Sequence, residues 1–217
     1  METRSARTNL RGADVDVLQI VALQSRDSKR IRRVLDPRNP IRAAIIPHVI
    51  ALLGERTVAA TAMQALQLVA DAHAGALVDA LLDPSRTPVV RRRLARVLSV
   101  SRSQVVADGL LMAIDDPLPD VRAQSARSLF RIRRRHPDVR IDGDRMLDLA
   151  RTELGRSTPD LRHVFTLLSF VLPAQPLRAA YRRLRGDNRY ARGTALEYLH
   201  GILPKDIRAV LLGNFKD

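Results

Sequence analysis

Leu81-Leu82-Asp83-Pro84 followed by Pro88-Val89-Val90-Arg91, set above Ile114-Asp115-Asp116-Pro117 followed by Pro119-Asp120-Val121-Arg122, is the pair of stretches that decides the fold of this sequence. The phrase returns as Pro159-Asp160-Leu161-Arg162, with fainter versions at Val58-Ala59 and Ala191-Arg192. Its shared position falls at 58, 90, 121, 161 and 191, at spacings of 32, 31, 40 and 30 residues. A turn recurring at such a period marks a chain built from stacked supersecondary units.

Working outward, each phrase lies between two helical patterns. Before it stands a short apolar run, Ala76 to Leu82 or Leu110 to Ile114. After it comes a longer amphipathic segment: Val90, Leu94, Val97 and Leu98 share one face in one unit, and Val121, Ser125, Ala126, Leu129 and Phe130 share one in the next. Pro88 and Pro119 suit the first position of a helix, where a missing N–H costs nothing, and neighbouring Asp and Ser side chains can cap the free amides. No segment alternates with period two, so strands are not expected. The reading is an entry helix over 14–35, five helix pairs, and a closing helix over 205–214, with Pro40, Pro137, Pro173 and Pro204 between units. Residues 1–13 are expected to be a disordered lead-in and 14–217 a single domain. The polar stretch 133–144 is the longest connection and the expected place of mobility, with Asp142 or Asp144 capping the helix that follows.

Composition agrees with helix on helix. Of 217 residues, 46% are hydrophobic but only 3% aromatic, so the interior is made of small and branched aliphatics. The absence of cysteine removes disulfides, thiolate nucleophiles and thiolate metal sites. The start of the chain has no apolar stretch behind Arg4 and Arg7, and the apolar runs at 43–54 and 164–174 fall short of the roughly 20 residues that span a bilayer. A cytoplasmic protein is expected.

The phrase Asp116-Pro117 to Val121-Arg122, followed by Ala126 and Leu129, resembles the signature of HEAT repeats. That resemblance implies an all-α, right-handed α-solenoid of about five HEAT-like helix pairs. It also implies that the turn Asp and the second-helix Arg form an internal ladder of hydrogen bonds, so that Arg91, Arg122, Arg162 and Arg192 are structural. The second half is similar to the soluble HEAT regions of bacterial nucleotide-carrier-like proteins, through His163 to Ser169, Gly193 to Leu199 and Leu203-Pro204. This likeness implies a docking module; the membrane part is missing, so transport is not implied.

Residues that could carry chemistry are sparse. His48, His73, His136, His163 and His200 lack the paired spacing that a helical metal site needs, and no His-Glu dipeptide of the HEAT-like iron hydroxylases occurs. The HEAT-like alkylpurine DNA glycosylases rely on aromatic residues at the damaged base; this chain has no Trp, and Tyr181, Tyr190 and Tyr198 read as core or rim packing. Asp142-Gly143-Asp144 lacks the further ligands of a calcium loop. No catalytic residue, cofactor or metal is assigned.

The strongest remaining signal is charge. The net charge is +14, and every basic residue except Lys29, Lys205 and Lys216 is arginine. Coding bias with solvated helix faces would give the same count, whereas a functional reading is attraction to carboxylates or phosphates. The arginines gather around 26–42, 131–140 and 178–192, while 43–85 is acidic on balance. Separated patches fit an acidic protein better than a continuous polyanion track. The expected binding surface lies on the second helices, at Arg92, Arg93, Arg96, Gln124, Arg127 and Arg131 with Arg134 and Arg135 beyond, and the expected partner is an acidic protein. Sequence-independent binding of DNA or RNA is the alternative, and peripheral contact with anionic lipid a third.

Overall fold

A computed structural model describes residues 14–215, and among them the chain is all-α: thirteen α-helices, three short 3-10 turns and no strand. The expected lead-in at 1–13 lies outside the described residues.

The entry region is two helices rather than one. Helix α1 (14–24) stops at Ser25, and α2 (Ser28–Val34) restarts beyond it. Arg26 takes a left-handed φ of 56°, and the Asp27 carboxylate accepts hydrogen bonds from the amides of Lys29 and Arg30. A side chain that captures free amides founds a new helix start, which the polar Ser-Arg-Asp-Ser run makes available.

The remaining helices are α3 (Ile46–Ala51), α4 (Ala59–Leu68), α5 (Ala74–Leu82), α6 (Pro88–Val97), α7 (Gln104–Ala113), α8 (Pro119–Arg135), α9 (Gly143–Leu154), α10 (Leu161–Leu168), α11 (Ala174–Leu184), α12 (Arg189–Ile202) and α13 (Lys205–Gly213). Pro88 and Pro119 open α6 and α8, Thr87 caps the amide of Val90, and Asp142 caps that of Asp144. The segment between α8 and α9 is held: Val139 is buried, and the Gln104 amide group both donates to the Arg140 carbonyl and accepts from its N–H, each at 3.0 Å. The expected mobile connection is therefore tied to α7 by a two-way hydrogen bond.

Packing follows a simple order through the middle of the chain. α4, α6, α8 and α10 pack each on the next, and α5 and α7 pack together behind them. The α5–α7 contact is close because Gly109 faces Val78; a Cβ at 109 would collide with the valine methyls. Past α10 the order changes. α11 packs on α10 and α12, while α13 returns to α9, where Arg151 donates to Asp206 at 2.5 Å and to Asp148 at 2.8 Å. One continuous set of buried apolar side chains, mostly aliphatic, runs from Leu23 to Leu211.

Counting from the first residue of each helix sets the recurring phrases in register. Val89, Asp120 and Arg162 are second, and Arg91, Arg122 and Val164 are fourth. The fourth position faces inward. Arg91 is buried, donates to the Leu81 carbonyl at 2.8 Å and is ion-paired with Asp116. Arg122 is buried on Glu153 at 3.1 Å and on the carbonyls of Asp116 and Pro117. Arg192, also fourth in its helix, donates to the Phe215 carbonyl at 3.0 Å. Arg162 does not join them. The Asp160 side chain caps the amide of His163, so α10 begins at Leu161 and Arg162 falls in the outward second position. The structural role expected for it is corrected: it is exposed.

Candidate functional site

The change of packing order after α10 leaves a groove between α8, α10 and α11, with a cavity of about 790 Å³. Each helix presents a stripe at three- and four-residue spacing, the geometry of neighbours on one helical face. α8 contributes Arg127, Phe130 and Arg131; α10 contributes Arg162, Phe165, Thr166 and Ser169. α11 contributes Gln175, Arg178, Tyr181 and Arg182, with Arg185 at its C-terminal cap. Six arginines and no carboxylate line this wall.

Aromatic rings form the floor. Phe130 and Phe165 are buried and Tyr181 half-buried. Phe130 meets Phe170 edge to face at 5.3 Å, and Phe165 meets Tyr181 at 4.8 Å. Two of the arginines lie over these rings: the Arg178 guanidinium 5.2 Å from the centre of Phe130, and that of Arg185 5.9 Å from Tyr181. Such stacking fixes the guanidinium plane and leaves its N–H edge free to donate.

Arg127 is the most withdrawn of the six. It is half-buried, and its one side-chain hydrogen bond goes to the Gln124 amide oxygen at 3.3 Å. Loss of water, and after it the charge of Arg162, push its pKa below the usual arginine value, with Arg131 adding to the effect and Asp160 and Asp120 opposing it. Among the described residues, Arg127, Arg131, Arg162, Arg178, Arg182 and Arg185 form no ion pair with any carboxylate. On α10, next to Arg162 in sequence, His163 is buried with Nδ1 unbonded among the described residues. Desolvation lowers its pKa to about 4, against the pull of Glu153 and Asp160, so it is a neutral ring at pH 7.

The residues singled out from the sequence divide between two places. Arg127 and Arg131 line the groove, and Gln124 supports it by holding Arg127 and donating to Ser128 at 3.1 Å. Arg92, Arg93 and Arg96 lie on α6, outside its lining. Arg92 reaches Asp120 at 3.5 Å, the half-buried Arg93 is hydrogen-bonded to the Leu53 carbonyl, and Arg96 is exposed. Arg134 and Arg135 are exposed at the end of α8 and also lie outside the lining. Arg162, Arg178, Arg182 and Arg185 complete the site without having been singled out. The 178, 181, 182 and 185 spacing on α11 was the available signal.

Among the described residues no group of three or more His, Asp or Glu side chains converges as a metal site would, and no helix is long and apolar enough to cross a membrane. No family model and no curated protein matches the sequence.

Proposed function

We propose that this chain is a non-catalytic docking module, a HEAT-type α-solenoid whose helix pairs present the α8–α10–α11 groove to an acidic segment of a partner protein. One observation carries the reading: six guanidinium groups line one groove over an aromatic floor, with no carboxylate in its wall. Elsewhere in the fold, buried arginines have acidic partners, as Arg91 and Arg122 do. Cations gathered without a counter-charge raise the local potential and favour capture of an anionic ligand. The successive packing of α4, α6, α8 and α10 and the buried Arg91 and Arg122 support the solenoid reading.

The test is binding of a labelled Asp/Glu-rich peptide to the full chain and to an R127E/R178E variant, followed by fluorescence anisotropy. Loss of binding in a variant that keeps its thermal melt supports the groove; equal binding by both proteins defeats it. Nucleic acid is the second reading, favoured by the net charge of +14. It requires that duplex DNA or RNA bind more tightly than the peptide and with a steep dependence on salt.

A further inference from the structure

We propose that the groove recognises a phosphate monoester: Arg127, Arg162 and Arg131 receive a phosphorylated serine or threonine, and Arg178, Arg182 and Arg185 engage the acidic residues beside it. This rests on the docking function proposed above and names the chemistry of its ligand.

Charge and donor count at the junction of α8 and α10 favour phosphate over carboxylate. Arg127 and Arg131 stand one helical turn apart on α8, and Arg162 faces the same cavity from the outward second position of α10. Arg127 is half out of water with only a neutral amide oxygen as its side-chain partner. A carboxylate brings one charge and two oxygens, enough for one guanidinium fork. A phosphate monoester brings about −1.5 to −2 charges and three acceptor oxygens, and it answers several forks at once.

The rest of the groove selects among phosphate-bearing ligands. The guanidinium groups of Arg178 and Arg185 each lie over one face of Phe130 and Tyr181, and Phe130 is buried, so these rings give a nucleobase little to stack on. The unpaired charge thins beyond α8, where Arg96 is the one exposed arginine of α6 without an ion pair among the described residues. On α6, the next helix in the stack, Arg92 reaches Asp120 and Arg93 is spent on the Leu53 carbonyl. A duplex needs a longer track of free cations than this. Along α11 the lining runs from Gln175 to Arg185, about 15 Å at the helical rise. That is the length of roughly four to five extended peptide residues.

The deciding experiment uses the full chain and four labelled probes: an acidic peptide with a central phosphoserine, the same peptide with serine, the same with glutamate, and a single-stranded RNA. The phosphopeptide is expected to bind at least about tenfold tighter than either unphosphorylated peptide, the scale of an added charge-assisted contact. R162A, at an exposed position, should reduce that preference to about twofold or less. R183A, on α11 but outside the lining, should leave it intact. Inorganic phosphate should displace the phosphopeptide where chloride at equal ionic strength does not. Equal binding of the serine and phosphoserine peptides overturns the phosphate inference and leaves acidic docking standing. Binding of none of the peptides removes both readings, and tighter binding of RNA replaces both. Should R162A fail to fold, R131A, exposed on α8, reads out the same phosphate position from another helix.

Discussion

Two sets of arginines in this protein differ in where their charge is answered. Arg91 and Arg122 are buried, and each meets a carboxylate farther along the chain: Asp116 for the first, Glu153 for the second. Arg127, Arg162, Arg178 and their neighbours in the groove have no such partner among the described residues. The residue type is the same, and the register within the helix separates them. The fourth helical position points Arg91 and Arg122 into the stack, whereas Arg162 in the second position and Arg127 farther along its helix look into the groove. A buried arginine without its acid would be costly, while a half-exposed one keeps enough water to remain charged and available.

The sharpest way to break this contrast is Arg122→Met. Glu153 would keep Arg156 and the Asp160 amide but lose its buried cation, and unfolding free energy should fall by about 3–5 kcal/mol. Denaturant melts check this, and the double variant R122M/E153M should recover a large part of the loss. A loss below about 1 kcal/mol for the single change would mean that the buried pair is not structural.

His163, which feels the charges of Glu153, Arg122 and Arg127, offers a second probe. Its folded pKa, about 4, lies below the ordinary 6.5. Between those values the unfolded chain takes up a proton that the folded chain refuses, so stability should fall as pH drops from 6.5 towards 4. The slope approaches about 1.4 kcal/mol per pH unit at most. Above pH 6.5 the residue contributes no pH dependence. Comparing urea melts of the native chain and H163L across this window should show a flatter profile for the variant; parallel profiles would contradict the neutral buried ring.

Behind the groove, Gly109→Ala should cost about 1–3 kcal/mol through collision with Val78, reduced by the better helix propensity of alanine. Its binding of acidic peptide should stay unchanged if the groove is independent of the α5–α7 contact. The smallest expected effect is also the most discriminating. R162A and R134A should each change stability by less than about 0.5 kcal/mol, yet only R162A should weaken capture of the peptide. Weakening by R134A alone would move the binding surface to the end of α8.

The turn phrases were legible because they combine proline at a helix start with a capping side chain, and these act within a few residues. The structural roles expected of Arg91 and Arg122 came from the resemblance of the phrase to HEAT repeats, and both side chains are buried. The split of the entry helix was less visible, since the capping of Lys29 and Arg30 by Asp27 competes with an otherwise continuous helical pattern. Arg162 was misread for a related reason: the phrase at 159–162 looks like that at 119–122, but capping by Asp160 moves the helix start by two residues and turns the arginine outward.

What the sequence determined by itself was the all-α class, the helix starts at Pro88 and Pro119, and an excess of arginine. These are encoded in local propensity, capping and composition. Which arginines share a site was decided by tertiary structure alone. Arg127, Arg162 and Arg178 lie on three helices and meet only because α11 packs on α10 while α13 returns to α9. That packing is set by which apolar faces bury one another across the chain, a non-local choice that no local pattern carries.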